Sequence, residues 1–356
     1  MRKHILVMLL TSALSGCGGA DQIYAAAERV IPLASGGVAA VTVVSHYVLT
    51  SSFDGEQADL RDTRLFVHRL DASGHDAGST KLTGTHVDGI VELASAALLV
   101  ASGTDSTSTL TIVEADGHTK TTPNKTCGTG LQRVGDTTWL GASGGTLCKV
   151  SVAADDEVAL TPGYTWTPDP NTKQGLVLSS GGTAALVATQ VQAGQGYTDI
   201  TTLQRWDATG KELQSVELDG HEAIAIRERS DGAVVIFSNV FGVGLARTAV
   251  KPDGSLETEV DSEGSASSSA VTLDPDGKSL IGRWNGPSSE GTSLLGVDGR
   301  VLWTAPIVDG EFDVARLVDG SYVVSGYAFG TKGQWRSVVA AVSAAGVPSW
   351  KTELVD

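Results

Sequence analysis

The residues that could carry acid–base chemistry are few and widely spaced in this chain of 356 residues. Among seven histidines, only His86 and His221 are expected on the face of the fold that carries the long loops, and neither lies beside a serine, cysteine or carboxylate in an activating motif. The sequence contains no Gly-x-Ser-x-Gly, His-Glu-x-x-His or Walker-type pattern. We therefore predict no catalytic residue, no cofactor and no metal site. The alternative is an envelope hydrolase, lyase or oxidoreductase that brings these histidines together with Asp199 and Glu290.

Aromatic side chains offer a second kind of chemistry, the recognition of a partner. The chain has 7 Trp, 6 Tyr and 6 Phe, and about half of them fall in predicted loops among carboxylates and amides. Such aromatic anchors are used to bind peptides and sugars. Packing against the edge of the residue's own sheet is the competing interpretation for each of them. The candidate binding residues are Phe53, Trp166, Tyr197, Phe241, Trp284, Tyr327, Phe329 and Trp335.

The first residues of the chain have the pattern of a secretion signal, which we assign to residues 1–16. Arg2 and Lys3 precede an apolar run over residues 5–10, and small residues follow it. The run is too short to span a bilayer. The protein is therefore expected to be exported.

The segment Leu14-Ser15-Gly16-Cys17 resembles the lipobox of bacterial lipoproteins. This resemblance implies that Cys17 is acylated and becomes the first residue, and Gly18 resembles the next residue of lipoproteins sorted to the outer membrane. Residues 17–27 would then be a lipidated amino terminus and short tether, and the lipid would hold the protein at a membrane of the cell envelope. An ordinary cleaved signal with an incidental cysteine is the alternative.

Cys127 and Cys148 are the two cysteines that remain, 21 residues apart. In an exported chain this spacing predicts a disulfide, whose loop closure would stabilise the fold by about 3 kcal/mol. Free thiols and a two-ligand metal site are the alternatives, although no histidine pair accompanies the cysteines.

The charge of the chain excludes one class of partner. The formal net charge is −16, from 25 basic and 41 acidic residues, and removal of Arg2 and Lys3 with the signal makes it −18. Nucleic-acid binding needs a basic footprint, and no Lys/Arg cluster is present. We predict a protein or glycan partner and no nucleic acid.

The elements that must position the candidate residues repeat along the chain. The third-to-fourth strand turn of each repeat is marked by Gly74, Gly117, Gly210, Gly254, Gly299 and Gly346. One marker is missing near Ala154-Asp155, which gives seven units of about 45 residues. A second series, Gly182, Gly232, Gly277 and Gly320, marks the turn between the first two strands. Several short strands in each such period are typical of propellers.

The fold class that we predict is all-β, a seven-bladed β-propeller of four-stranded antiparallel blades over residues 28–356. Runs such as Ser-Val-Val-Ala-Ala-Val suit strands covered on both faces, and almost no helix is expected apart from a weak signal in Ile-Tyr-Ala-Ala-Ala-Glu-Arg-Val. Two ways of closing the ring remain open. Lys351-Thr352-Glu353-Leu354 completes the seventh blade, or residues 28–33 pair with that blade and clasp the ring.

The turn Trp206-Asp207-Ala208-Thr209-Gly210-Lys211 resembles that of PQQ-like propeller repeats, which often have a tryptophan four residues after the glycine. Gly299 and Gly346 are followed by tryptophan at that spacing. The resemblance implies a blade and not a chemistry. The chain departs from the quinone-dependent dehydrogenases of this class because it has no adjacent pair of cysteines.

Antiparallel blades of this kind have two unlike faces. First-to-second and third-to-fourth strand turns lie on one side, here called the turn face, and they are short. Second-to-third loops and blade-to-blade connections lie on the other side, the loop face, where binding residues are more common. We therefore expect a membrane-anchored, non-catalytic binding or scaffold propeller of the outer membrane that uses its loop face, the alternative being an enzyme with its site in the central funnel.

Overall fold

The computed structural model describes residues 20–354 without 53–54, 105–106, 154, 168, 170, 194–195, 220, 241–243, 262–270, 274–278, 284–290, 296–300, 306–307, 309 and 330–333. These residues form 28 strands in seven four-stranded sheets, and each sheet is an antiparallel meander in chain order. Within this part of the chain no helix is long and apolar enough to cross a membrane.

Each sheet is one blade, built from one continuous segment of chain. Blade 1 contains β1 (Ala20–Pro32), β2 (Val38–Ser52), β3 (Gly55–Leu70) and β4 (Asp76–Leu82). Blade 2 contains β5 (His86–Glu92), β6 (Leu98–Gly103), β7 (Ser108–Val113) and β8 (Thr119–Asn124). Blade 3 contains β9 (Leu131–Val134), β10 (Thr137–Leu140), β11 (Gly145–Val152) and β12 (Val158–Trp166).

The remaining four blades repeat this order. Blade 4 contains β13 (Thr172–Val177), β14 (Thr183–Ala193), β15 (Gly196–Trp206) and β16 (Glu212–Asp219). Blade 5 contains β17 (His221–Glu228), β18 (Val234–Val240), β19 (Gly244–Val250) and β20 (Leu256–Asp261). Blade 6 contains β21 (Val271–Leu273), β22 (Ser279–Arg283), β23 (Gly291–Leu295) and β24 (Val301–Ala305). Blade 7 contains β25 (Gly310–Arg316), β26 (Tyr322–Phe329), β27 (Trp335–Val342) and β28 (Pro348–Glu353).

The first strands of the blades form the inner ring. Each first strand contacts the first strand of the next blade, and β25 contacts β1. The apolar core lies between the blades, as where Val41 and Leu65 of blade 1 pack with Ile90 and Leu98 of blade 2. The predicted seven-bladed, all-β propeller is confirmed.

The ring closes through side chains, without a strand shared between its first and last blades. Lys351, Thr352 and Glu353 lie in β28 of blade 7, whereas residues 28–32 lie in β1 and pair with β2. The ring of Trp350 lies against Gly74 in the last turn of blade 1, and Thr352 Oγ1 donates a hydrogen bond of 2.5 Å to the Gly74 carbonyl oxygen. Of the two closures considered from the sequence, the structure has the first.

This closing contact is of the same kind as contacts inside the ring. Trp303 of blade 6 lies against Gly346 of blade 7, and Tyr164 of blade 3 lies against Gly210 of blade 4. In all three places an aromatic ring of one blade covers the turn glycine of the next. In two of the three places the ring is a tryptophan four residues after a turn glycine, so this spacing places a ring that joins neighbouring blades.

The start of the propeller differs from the prediction. The segment 20–27, assigned to the tether and to a weak helical signal, is the first part of β1, so the propeller begins at Ala20 and not at residue 28. Ala26 and Ala27 are fully buried. Small side chains suit an inner strand because neighbouring strands approach closely around the axis. Alanine-rich segments are also typical of helices, which explains the weak helical signal in this strand.

The turn markers follow the prediction with two differences. Residue Asp156, with φ of 60°, takes the place of the missing glycine in blade 3, and its N–H bonds to the Ala153 carbonyl as Gly210 bonds to Asp207. In blade 4 the residue with positive φ is Gly181 and not Gly182. Aspartate tolerates the left-handed region better than most residues, which explains why a turn persists without glycine. Gly277 and Gly299 lie outside the described residues.

Two hairpins extend the loop face. Strands β2 and β3 have 15 and 16 residues, and β14 and β15 have 11 each, whereas β6 and β7 have six. At the turn-face end, the two strands of all three hairpins are paired up to their terminal residues. The extra residues of the two long hairpins therefore lie at the loop-face end. At about 3.3 Å per residue, the hairpin of blade 1 projects roughly 30 Å beyond a short blade and that of blade 4 roughly 16 Å.

Candidate functional site

Three of the predicted binding residues lie together on the loop face, where blade 7 meets blade 1. Tyr327 and Phe329 are two residues apart on β26 and so share a face of the sheet, and Trp335 on β27 is the cross-strand partner of Phe329. The ring of Trp335 stacks on that of Tyr327 with centroids 4.0 Å apart and 16° between the planes. Phe329 meets Trp335 edge-on at 5.3 Å.

Blade 1 completes this group through residues that the sequence did not indicate. The ring centroid of Tyr24, on β1, lies 4.4 Å from that of Trp335. Tyr47 of β2 and Phe312 of β25 pack at the border. The group, here called the seam cluster, consists of Tyr24, Tyr47, Phe312, Tyr327, Phe329 and Trp335. Tyr24 was missed because its segment was interpreted as a tether.

The seam cluster has a buried part and an exposed part. Tyr24 and Tyr327 are buried, and burial raises the pKa of Tyr24 far above its ordinary value, so its hydroxyl stays neutral. Tyr327 lies directly over Gly310, its cross-strand partner, where a β-carbon would clash with the phenol ring. Phe329 is 53% exposed. Phe329 therefore faces solvent while its ring packs on those of Tyr327 and Trp335.

A groove of about 260 Å³ lies beside the seam cluster, between the two blades. One wall is apolar and comes from β1 and β2, and the other comes from the ends of β27 and β28. The lining residues are Ile23, Ala25, Val44, Gln334, Trp335, Arg336, Glu353 and Leu354. Arg336 Nη1 and Glu353 Oε2 are 2.7 Å apart, with both side chains half exposed. The groove can accept an apolar side chain, and the ion pair offers both signs of charge beside it.

Trp166 is not part of an exposed face. Its side chain is 2% exposed, its indole Nε1 donates a hydrogen bond of 3.0 Å to the Gly141 carbonyl, and its ring lies 5.0 Å from that of Trp206. It belongs to the core between blades 3 and 4. The prediction that Trp166 binds a partner is therefore wrong, because the end of β12 turns this ring inward.

Four candidate binding residues remain, and three of them belong to segments that the structure leaves undescribed. Phe53, Phe241 and Trp284 lie outside the described residues. Tyr197 lies near the start of β15, where its backbone pairs with Gln192. These four residues remain predictions.

Charged residues gather on the inner strands. The first strands of blades 1, 2, 4, 5 and 7 each contain a β-bulge four residues before their turn-face end. Glu28 and Asp88 occupy the bulges of blades 1 and 2. Bulges redirect side chains and are frequent beside functional sites. Burial raises the pKa of Glu28 and the pKa of Asp88, and the positive charge of Arg29 opposes both shifts.

These inner charges mainly hold blades together. Asp313 Oδ2 of blade 7 accepts a hydrogen bond of 3.1 Å from the Val30 N–H of blade 1, and burial raises the pKa of Asp313. The guanidinium of Arg227 donates hydrogen bonds to the carbonyl oxygen of Ile226 and to that of Val271, which belongs to blade 6. Such contacts satisfy buried backbone groups where blades meet.

Neither His86 nor His68 forms the hydrogen-bonded, accessible pair with a carboxylate that a general base requires. His86 Nε2 is 3.7 Å from Asp88 Oδ1, which is too long for a hydrogen bond, and Asp88 Oδ2 is buried without a partner among the described residues. His68 Nδ1 lies 2.8 Å from Asp76 Oδ2, but His68 is fully buried between strands. The described residues also contain no group of three His, Cys, Asp or Glu side chains placed to hold a metal.

The predicted disulfide is present. Cys127 and Cys148 are bonded, with their Cα atoms 5.9 Å apart. The bond joins the segment before β9 to β11 of blade 3, whose strands β9 and β10 have only four residues each. It therefore reinforces a blade whose two inner strands are short.

No family model and no curated protein matches the chain. Among solved structures, a protein of unknown function from Dyadobacter fermentans is 17% identical, with a TM-score of 0.50, covering 90% of this chain and 96% of that one. Virginiamycin B lyase from Staphylococcus aureus is 11% identical (TM-score 0.43; 73% and 92%). A quinonprotein alcohol dehydrogenase-like protein from Bacteroides thetaiotaomicron is 10% identical (TM-score 0.45; 94% and 92%). At such identities the likeness concerns the fold alone.

Proposed function

We propose that this protein is a lipid-anchored binding propeller of the bacterial cell envelope that holds a protein partner in the groove between blades 1 and 7. The observation that carries the proposal is the exposed ring of Phe329, which packs on the rings of Tyr327 and Trp335, together with the apolar groove that Trp335 lines. Aromatic anchors fixed in this way are typical of binding hot spots because they lose little freedom when a partner docks.

The apolar wall of the groove suits a peptide side chain. Ile23, Ala25 and Val44 on that wall offer no hydrogen-bonding side chain to the hydroxyl groups of a sugar, whereas Gln334, Arg336 and Glu353 on the other wall can bond to polar groups of a peptide. The Arg336–Glu353 pair can align a partner that carries charges of both signs. The experiment below must therefore distinguish a protein partner from a glycan partner.

The anchor in the proposal comes from the lipobox at residues 14–17. Acylation of Cys17 would keep the propeller at the outer membrane, and the processed chain, with a formal charge of −18, has little electrostatic attraction to anionic lipid without the acyl chains. Cys17→Ala should release soluble protein or stop processing. A variant that still sediments with membranes would contradict the anchor.

The partner site is tested by comparing Phe329→Ala with Val347→Ala. Val347 is also an exposed apolar residue, at 62%, but it lies in the turn between β27 and β28 on the turn face. Both substitutions should leave the fold intact. After crosslinking in intact envelopes, Phe329→Ala should recover about tenfold less partner, the loss of about 1.4 kcal/mol expected for a hot-spot residue, and Val347→Ala should match wild type.

Two results would contradict this function. Equal recovery with Phe329→Ala would exclude the seam cluster as the site. Binding of the purified propeller to isolated envelope glycans, lost in Phe329→Ala, would replace the protein partner by a glycan. Trp335→Ala is less informative because Trp335 packs on Tyr24 and Tyr327 and its loss would disturb the fold.

A further inference from the structure

The groove lies close to the point where the lipid would be attached. Strand β1 begins at Ala20, only three residues after Cys17. Three residues span at most about 10 Å when fully extended. The acylated residue would therefore be held within about 10 Å of the first residue of blade 1.

The direction of β1 decides which face meets the membrane. β1 runs from Ala20 to Pro32, and its last residues lead into the first turn of the turn face. Ala20 thus lies at the loop-face end, where it pairs with Leu49 in the projecting part of β2. Ile23, which lines the groove, follows Ala20 by three residues, or about 10 Å of strand. The groove therefore opens within about 20 Å of the lipid.

We infer that the partner bound in this groove is an integral membrane protein, and that it presents an apolar side chain, flanked by charges, at the bilayer surface. This inference rests on the proposed function. A groove so close to the lipid meets surfaces that emerge from the same membrane, and the anchor raises their effective concentration. Anionic lipid headgroups fit poorly because Arg336, the cationic side chain among the lining residues, is already paired with Glu353, and the chain is strongly acidic.

The test changes the tether and leaves the groove intact. A photo-crosslinking amino acid is placed at Phe329 in the full chain, either with the native tether or with about 30 Gly/Ser residues inserted between Gly19 and Ala20. The insert has a typical span of roughly 30 Å. The native tether should give an adduct with a protein that resists alkaline carbonate extraction, and the long tether should reduce that adduct several-fold. The same probe at Val347 should give no such adduct.

Each outcome separates this inference from the proposed function. An adduct with an extractable protein, a phospholipid or a second copy of this chain contradicts the integral membrane partner, as does an adduct that the long tether leaves undiminished. An absence of any adduct at either tether length contradicts the proposed function itself. Membrane fractionation and thermal unfolding of both tether forms establish that each is anchored and folded.

Discussion

The contribution of the contact between Trp350 and Gly74 to stability can be measured by comparison with a control glycine in the same blade. Gly74 and Gly36 both lie in turns of blade 1 and both have positive φ, 82° and 88°. A β-carbon on Gly36 would meet open space, whereas a β-carbon on Gly74 would clash with the indole of Trp350. Comparison of Gly74→Ala with Gly36→Ala therefore isolates the contact between blade 7 and blade 1.

The expected magnitudes follow from these environments. Alanine in the left-handed region costs about 1–2 kcal/mol, which both variants should lose. Displacing a packed ring adds about 1–3 kcal/mol, so Gly74→Ala should be about 2 kcal/mol less stable than Gly36→Ala. With an unfolding entropy of about 2.1 cal/mol/K per residue over roughly 330 residues, this difference corresponds to about 3 °C in Tm.

The assay is urea unfolding followed by circular dichroism, with thermal unfolding as a second measurement. A Trp350→Ala background supplies the control, because removal of the indole removes the clash, and Gly74→Ala should then cost no more than Gly36→Ala. Equal costs for the two glycine variants in the wild-type background, or a cost of Gly74→Ala that Trp350→Ala leaves unchanged, would refute closure by this contact.

Two further predictions concern blade 3. Trp166→Ala should lower the free energy of unfolding by about 3–5 kcal/mol, since it removes a buried ring and its hydrogen bond to Gly141. The folded fraction of this variant should bind the partner as the wild type does. A loss of binding without a loss of stability would show that Trp166 belongs to the binding face. Replacing Cys127 and Cys148 together by serine should lower the free energy of unfolding in urea by about 3 kcal/mol. Mass spectrometry of unreduced wild-type peptides should detect the disulfide. Finding both thiols alkylated under oxidising, quenched conditions would exclude it.

The repeat could be predicted from the sequence because its markers are local. A turn glycine is required by positive φ, so its spacing reports the blade period directly, and even the exception at Asp156 kept the polar residues of a turn. The pairing of Cys127 with Cys148 was predictable because only two cysteines remain once Cys17 is assigned to the lipobox. Such features depend on residue type and on short separations along the chain.

The seam cluster could be predicted only in part because it depends on distant contacts. Tyr24 and Trp335 lie on the first and last blades, and nothing in the sequence near either one indicates the other. Trp166 and Phe329 looked alike as aromatic residues near loops, yet one is buried against Trp206 and the other is exposed. Contacts with the neighbouring blade decide whether a ring at the end of a strand points inward or outward. The periodicity of the sequence does not predict this orientation.

The first strand explains why closure, groove and anchor occur together. β1 has 13 residues, whereas the first strands of the other blades have three to eight. Its additional residues bring Tyr24 onto Trp335 and Ile23 into the groove, and they lead back towards Cys17. A shorter β1 would leave Trp335 uncovered and the tether longer. The length and direction of this one strand therefore place the candidate site beside the proposed anchor.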